Sequence, residues 1–336
     1  MSDVKLARTL ARFQAKIDTG SYYEAHQTLR TITNRYVKSK QYTEAIDLLY
    51  QGASILASKK EYASAADLIT YLIHTLEESG TICSDASSHG TKQKLIELIN
   101  LLPNSESSLL DLAKQSINWS IKGSDSKFGD NDLHHTFGVK FIKGLTDDEG
   151  EKGIDADDVE TRFKLFSNAE LHLILGTHES LPYYVDFLYK WYKSDISKGV
   201  VDPGTYLSRA IINYSYLKNL KFIQESLGLF LGKLLHDISD EQYVVTETKD
   251  AVTSEKFYDF KDFEILNFLQ LLVITLGKED AGSKFLKLHG QYKSTLQKAE
   301  ILAPVEYLGK LYFGLQLGNS GGGQNMLANL MGGLFK

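Results

Sequence analysis

Histidine and cysteine are the residue types in this chain that would suit metal binding or nucleophilic catalysis, but their spacing supports neither. His134 and His135 are adjacent and would point in different directions on a helix. His172 and His178 lie six residues apart, with no third ligand in register for a zinc site. Cys83 stands in a polar stretch without the local signature of a nucleophile. The sequence therefore predicts no catalytic residue, no metal site and no cofactor, and it indicates that the chain is not an enzyme.

Two other segments contain residue types that occur in ligand sites. Residues 147–160 hold eight carboxylates and one lysine, but they lack the Asp/Asn spacing and the closing Glu of a calcium loop. The glycines at 321–323 are not followed by the Lys and Ser/Thr of a phosphate-binding loop. We interpret the acidic segment as an exposed loop insertion and residues 318–336 as a flexible Gly-rich tail.

Positive charge is concentrated at the N-terminus. Residues 1–40 contain eight Lys or Arg against three acids, a net charge of +5, although the whole chain carries −6. In the first predicted helix a basic stripe of Lys5, Arg8, Arg12 and Lys16 lies away from an apolar stripe of Leu6, Leu10, Phe13 and Ile17. Because like charges at this spacing repel one another, we expect an acidic partner here, with a solvated helix face as the alternative.

The composition limits the class of protein and its surroundings. The chain has 336 residues, of which 43% are hydrophobic and 24% charged, as in a soluble globular protein. A pI of about 5.9 and the absence of interleaved aromatic residues disfavour nucleic acid as a partner. One cysteine suits a reducing compartment, and no apolar run is long enough to target or span a membrane. We therefore expect a cytoplasmic protein that does not insert directly into membranes.

One helical pattern occurs three times, and each copy begins at a tyrosine, Tyr22, Tyr42 or Tyr62. Offsets of +3, +7, +10 and +14 from each tyrosine lie on one face at 3.6 residues per turn. These positions are Ala25, Leu29, Ile32 and Tyr36; Ala45, Leu49, Gly52 and Leu56; and Ala65, Ile69, Leu72 and Leu76. The chain also has only four prolines, so we predict helices of about 16 residues that stack antiparallel in a solenoid. Solenoids present long surfaces to other macromolecules.

Residues 243–260 interrupt the helical pattern. Residues 243–248 are β-branched and aromatic, residues 257–260 are rich in aromatics, and a polar turn joins them. We predict a β-hairpin whose apolar side is covered by helices or by a partner, because an isolated hairpin is marginal in water. The predicted fold class is all-α: a tetratricopeptide-like α-solenoid of antiparallel helix pairs with one β-hairpin insertion near residues 243–260.

Five segments, in collinear order along the chain, resemble one known family. They are YYEAHQTLRTI with the following NRYV (22–37), NWSIK (118–122), KFGD (127–130), LGTHES (175–180) and LNFLQLL (266–272). Together they closely resemble the fourth factor of the guided-entry pathway for tail-anchored proteins. The acidic insertion and the poly-Gly linker depart from the family pattern without touching these motifs.

The resemblance implies a non-enzymatic adaptor in the post-translational targeting of tail-anchored membrane proteins to the endoplasmic reticulum. Its N-terminal repeats would bind the homodimeric targeting ATPase. Its C-terminal half would bind the N-terminal segment of a ubiquitin-like protein, which recruits a co-chaperone. The expected domains are residues 1–145 for ATPase binding, 146–317 with the hairpin for the ubiquitin-like partner, and 318–336 as the flexible tail.

Charge and aromatic patterns then give candidate binding residues at the two ends. For the ATPase they are Lys5, Leu6, Arg8, Arg12, Phe13, Lys16, Arg35 and Lys38. For the ubiquitin-like partner they are Tyr243, Val245, Phe257, Phe260, Phe263, Leu266 and Phe268. Ordinary core packing is the alternative for the second set, and Leu266 and Phe268 fit it best.

A tetratricopeptide-type co-chaperone that binds the C-terminus of a chaperone is the alternative function. Its carboxylate clamp needs Lys and Asn side chains from successive helices. Asn34 and Lys38 qualify, but the other copies offer Ser54 and Ser58, or His74 and Glu78, at the equivalent positions, so the clamp is incomplete. An all-helical enzyme is the third class, and the lack of a catalytic constellation disfavours it.

Overall fold

Fourteen α-helices and one β-hairpin make up the described part of the chain. The structure is a computed structural model that describes residues 2–146, 159–196, 199–249 and 254–317, with side chains at residues 7–145, 160, 162–196, 199–247 and 256–317. Within these residues the predicted all-α fold with a single hairpin is confirmed. Most of the acidic insertion (147–158) and the Gly-rich tail (318–336) lie outside them.

The chain divides into two compact units, residues 1–177 and 178–336. The described helices of the first unit are α1 Ser2–Asp18, α2 Tyr22–Lys38, α3 Tyr42–Ser58, α4 Tyr62–Glu78, α5 His89–Leu101, α6 Leu109–Ile121, α7 Asn131–Thr146 and α8 Val159–Leu175. The sequence predicts a different kind of boundary, between residues 145 and 146, which separates the regions expected to bind two different partners. That boundary stays a prediction.

The three repeat copies form three equal helices. α2, α3 and α4 each begin at their repeat tyrosine and have 17 residues. The small residues three positions later, Ala25, Ala45 and Ala65, are all 0% exposed, which lets neighbouring helices approach closely. Helices adjacent in sequence pack together, and α1 also contacts α3 while α2 contacts α4. This is the packing of an α-solenoid, as the repeat predicts.

The turns between these helices repeat as well. Their central residues have positive φ: Gly20 (73°), Lys40 (57°), Lys60 (65°) and Gly80 (71°). Each turn makes the hydrogen bonds of a Schellman motif; after α3, the N–H of Glu61 donates to the C=O of Leu56 at 3.0 Å. Two of the four central residues are lysines, whose Cβ makes this backbone conformation less favourable than it is for glycine.

The second unit places the hairpin against a helical stack. Its described elements are α9 Ser180–Ile196, α10 Gly204–Tyr216, α11 Leu220–Asp237, β1 Tyr243–Lys249, β2 Ser254–Phe260, α12 Glu264–Leu276, α13 Gly282–Lys298 and α14 Leu302–Phe313. β1 and β2 are antiparallel, with Tyr243 opposite Phe260 and Val245 opposite Tyr258. α12 packs against α10, α11, α13 and β2, so it connects the hairpin to the helices.

The N-termini of α10 and α12 lie against each other in this unit. A Cβ on Gly204 would lie only 2.3 Å from the backbone nitrogen of Leu266. The Asp202 carboxylate accepts hydrogen bonds from the N–H groups of Gly204 at 2.8 Å and Ile265 at 2.7 Å, and thereby caps both helices. Burial raises the pKa of Asp202 to about 6. These contacts fix the start of α12 and, through it, the position of the hairpin.

Replacing Lys60 by glycine should stabilise the protein. Glycine adopts positive φ without the steric cost of a Cβ, so we expect Lys60→Gly to raise the free energy of unfolding by roughly 0.5–1 kcal/mol in urea denaturation. Lys59→Gly is the matched control, because Lys59 has φ −92° and gains nothing from glycine. An equal increase in both variants would contradict a local effect of the turn.

Replacing Gly204 by alanine should strongly destabilise the second unit. The added methyl group meets the backbone of α12, so we expect Gly204→Ala to lower the free energy of unfolding by about 2–4 kcal/mol. Gly232→Ala in α11 is the control, because no atom lies within 4 Å of the Cβ it would add. Alanine there should stabilise the helix by roughly 0.5–1 kcal/mol. A Gly204→Ala variant as stable as the wild type would show that α10 and α12 are not in close contact.

Candidate protein-interaction sites

Four exposed cations form what we call the N-terminal basic surface: Arg8 and Arg12 on α1, and Arg35 and Lys38 on α2. Each pair shares one helix face, because residues three or four apart are neighbours. None of the four side chains has an ion pair or hydrogen bond with another described side chain. Lys16, by contrast, pairs with Glu24, with Nζ and Oε2 2.7 Å apart. Among the predicted cations whose side chains are described, the unpaired charge therefore resides on the other four residues.

The apolar residues predicted for this surface are placed differently. Phe13 is 1% exposed, so its side chain belongs to the core and is not available to a partner. The side chains of Lys5 and Leu6 lie outside those described. Tyr23, at the start of α2, is 74% exposed. Sequence reasoning missed Tyr23, although the repeat sets it apart from the half-buried Tyr22, because the equivalent positions in the next two copies are Thr43 and Ala63.

The aromatic-rich set of the second unit divides by burial. Its core members are Phe260, Leu266 and Phe268, with exposed fractions of 2%, 0% and 0%. Its half-buried members are Tyr243, Phe257 and Phe263. Val245 is 47% exposed, and its neighbour Val244, which sequence reasoning did not select, is 58% exposed. The surface that this set offers to a partner is therefore concentrated on β1.

Two buried amides of α12, Asn267 and Gln270, hold the outer edge of β2; we call them the amide pair. They are 6% and 2% exposed. Gln270 accepts a hydrogen bond from the N–H of Tyr258 at 3.0 Å and donates to its C=O at 2.9 Å. Asn267 does the same for Phe260, at 3.0 Å and 2.8 Å. The amide pair therefore takes the place of a third strand beside β2.

The outer edge of β1 has no such cover among the described residues. Tyr258 and Phe260 direct their N–H and C=O groups at α12, and their partners on β1 are Val245 and Tyr243. In an antiparallel sheet, two facing residues that do not exchange hydrogen bonds point their N–H and C=O groups away from each other, toward opposite edges of the sheet. Tyr243 and Val245 therefore present backbone donors and acceptors on the open edge of the hairpin.

Sequence reasoning assigned no role to Asn267 and Gln270, although both stand in the LNFLQLL segment. A usable signal exists in the sequence. Two amides spaced three residues apart in an otherwise apolar helix share one face and must find hydrogen-bond partners when buried. The adjacent hairpin, with an unpaired strand edge, is the natural source of those partners.

A histidine pair joins α7 to α8 in the first unit. The Nδ1 atoms of His134 and His172 are 2.9 Å apart, and Nε2 of His134 lies 2.8 Å from the C=O of Phe128. Burial lowers the pKa of His134 to about 4, so the ring is neutral near pH 7. Because a carbonyl only accepts, His134 carries its proton on Nε2 and receives a hydrogen bond from Nδ1 of His172. The pair is a structural link between the two helices.

Other features limit what chemistry the described residues can perform. No group of three potential metal ligands occurs among them. Cys83 is 3% exposed, and burial raises the pKa of its thiol to about 12, so the thiol stays protonated at neutral pH. No described helix has both the length and the apolar character needed to cross a bilayer.

Comparison with known proteins gives one family over nearly the whole chain. The family model described as Golgi to ER traffic protein 4 matches residues 39–335. Golgi to ER traffic protein 4 of Schizosaccharomyces pombe is 31% identical over 315 residues, which cover 93% of this chain and 90% of that protein. The Aspergillus fumigatus protein of the same name is 30% identical and covers 98% of this chain and 90% of its own length.

The fold agrees with the sequence similarity. The crystal structure of Get4 from C. therm. has a TM-score of 0.76 and 27% sequence identity to this chain, and the match covers 97% of this chain and 95% of that one. The resemblance to the fourth guided-entry factor is thereby confirmed. The chain belongs to the Golgi to ER traffic protein 4 (Get4) family.

Proposed function

We propose that this chain is a non-enzymatic cytoplasmic adaptor that bridges a targeting ATPase to a ubiquitin-like protein and its co-chaperone. In this role it serves the post-translational targeting of tail-anchored membrane proteins to the endoplasmic reticulum. Family membership supports a function in Golgi-to-ER traffic. The observation that carries the finer proposal is the contrast between the two units: unpaired cations in the first and an open strand edge in the second. Surfaces of such different chemistry suit two different partners.

The N-terminal basic surface is the part that we assign to the homodimeric targeting ATPase. Its four side chains have no local counter-charge, so an acidic patch on the partner would supply the attraction that they lack. Tyr23 adds a largely exposed aromatic side chain, a residue type that often anchors interfaces. Lys16 is already paired with Glu24 and should contribute less.

We assign the open edge of β1 to the N-terminal segment of the ubiquitin-like partner. An extended segment could pair with the outward backbone groups of Tyr243 and Val245, which gives affinity through main-chain hydrogen bonds. Val244 and Val245 then supply the exposed apolar contact. The amide pair holds the opposite edge of the hairpin, so little order has to be gained on binding.

Reversing charge on the N-terminal basic surface should weaken ATPase binding. For Arg8→Glu with Arg12→Glu we expect an affinity about 10–100-fold lower in calorimetry, because two attractions become repulsions. Wild-type binding should also fall with added salt, since exposed charges are screened over about 8–10 Å.

The matched control for this test is Lys59→Glu with Lys127→Glu, two exposed lysines of the same unit that lie outside the surface. This control should bind the ATPase within a factor of about 3 of wild type. Circular dichroism should be unchanged in both variants. Unaltered affinity of the Arg8/Arg12 variant would remove the assignment.

Polar substitutions on β1 should release the ubiquitin-like protein while ATPase binding persists. We expect Val244→Ser with Val245→Ser to lower co-purification at least about tenfold, because the exposed apolar contact is lost. Val245→Pro should have a similar effect, since it removes an outward N–H that the hairpin itself does not use.

Leu220→Ser with Leu229→Ser is the control for this second test, because these leucines are 37% and 41% exposed on α11 of the same unit. The control should keep both partners. If the β1 variants lose both partners together with their cooperative thermal transition, the valines are structural and the assignment to a partner is wrong.

A further inference from the structure

α13 carries a concentration of unpaired positive charge. Its 17 residues, Gly282–Lys298, include four lysines and no Asp or Glu. All four are exposed, and we call them the α13 lysine face: Lys284, Lys287, Lys293 and Lys298. None of them has an ion pair or hydrogen bond with another described residue. This charge stands out in a chain whose net charge is −6.

Most other lysines of the same unit have partners. The ion pairs are Lys190 and Lys233 with Asp186, Lys193 with Asp237, Lys221 with Glu225, and Lys256 with Glu247, at 2.9–3.9 Å. Lys261 donates to the C=O of Glu241 at 3.1 Å. Lys218 has only a cation–π contact with the Tyr312 ring, and exposed Lys310 of α14 has no described partner. Five lysines of this unit thus pair with an acid, and none of the five lies on α13.

Acids on the helices packed against α13 are already engaged. Glu306 of α14 lies 3.1 Å from Nε2 of His289, on the buried side of α13. Glu264 of α12 accepts a hydrogen bond from Thr295 at 2.5 Å. Neither carboxylate contacts a lysine of the α13 face. The exposed acids at the helix ends, Glu279, Asp280 and Glu300, form no ion pair with these lysines either, so their charge remains available to a partner.

The shape of this face restricts what can bind it. Lys284 and Lys293 lie at opposite edges of the exposed half of the helix, and Lys287 and Lys298 lie between them. Along the helix axis the four lysines span about 21 Å. The exposed residues among them are small or polar, such as Ser283, Gly290 and Ser294, except for Leu286, which is 42% exposed. The exposed half of a single helix is convex, so this face does not by itself enclose a peptide.

We propose that the α13 lysine face docks on an anionic membrane surface. A flat layer of acidic headgroups can contact Lys287 and Lys298, which face outward together, while the long side chains of Lys284 and Lys293 at the edges stay within the range of its field. Lysine acts as a point charge, whereas recognition of individual phosphates in fixed geometry favours arginine. The exposed half of α13 has no aromatic side chain on which a nucleic acid base could stack. Leu286 lies near Lys293 at one edge of this half and is the one exposed large apolar side chain there.

Vesicle co-sedimentation of the full chain tests this proposal. The probes are vesicles of phosphatidylcholine alone and of phosphatidylcholine with phosphatidylserine. We expect binding to the anionic vesicles only, lost at high salt. Each lysine near such a surface contributes about a fivefold factor, so Lys284→Glu with Lys287→Glu should reduce binding at least 25-fold. Lys293→Gln with Lys298→Gln removes charge without reversing it and should give a smaller loss.

Lys59→Glu with Lys127→Glu is the matched control, because it makes the same change in net charge at two exposed lysines of the other unit, outside the N-terminal basic surface. It should bind anionic vesicles within about threefold of wild type. The proposal is wrong if the wild-type chain does not bind anionic vesicles, or if this control and the Lys284/Lys287 variant lose binding equally. Single-stranded RNA and polyglutamate stand for the competing ligands, a nucleic acid and an acidic peptide. The proposal is also wrong if the Lys284/Lys287 variant loses binding to either of them while its vesicle binding is unchanged. Unchanged circular dichroism of the variants excludes unfolding as the cause.

Discussion

Backbone polar groups at the ends and edges of elements need hydrogen-bond partners, and this requirement determines how both units are built. In the first unit a Schellman turn satisfies it at the same point of every repeat, so equal helices stack at equal intervals. In the second unit side chains satisfy it. The Asp202 carboxylate accepts hydrogen bonds from backbone N–H groups of α10 and α12, and the amide pair completes the edge of β2. Apolar packing supplies much of the stability, but these hydrogen bonds determine where each apolar face lies.

The repetitive part of the fold could be predicted from the sequence because its signals are local. A stripe at fixed offsets and a tyrosine every 20 residues define the helix starts of α2, α3 and α4 without knowledge of their neighbours. The turn type could not be derived in the same way. Lys40 and Lys60 stand where the Schellman motif favours glycine, yet both have positive φ, which their residue type disfavours. The hairpin was predictable from its β-branched residues, but its support by α12 was not.

For the candidate sites, too, the sequence gives the type of each residue but not the environment in which it lies. Charge belongs to the residue type, so exposed cations such as Arg8 and Arg12 could be selected from the sequence. Burial depends on which elements cover a side chain, so Phe13 and Phe260 were selected although they belong to the core. The pairing of His134 with His172 joins residues 38 positions apart, and no spacing rule connects them.

The dependence of the hairpin on α12 has a consequence for synthesis of the chain. Chains grow from the N-terminus, so β2, which ends at Phe260, emerges before Gln270, which completes its outer edge ten residues later. At about 5–20 residues per second this delay is roughly 0.5–2 s. During that time both edges of the hairpin are open, and an open edge can template aggregation. Translational pauses just after β2 would prolong this state, so smooth elongation through α12 favours correct folding.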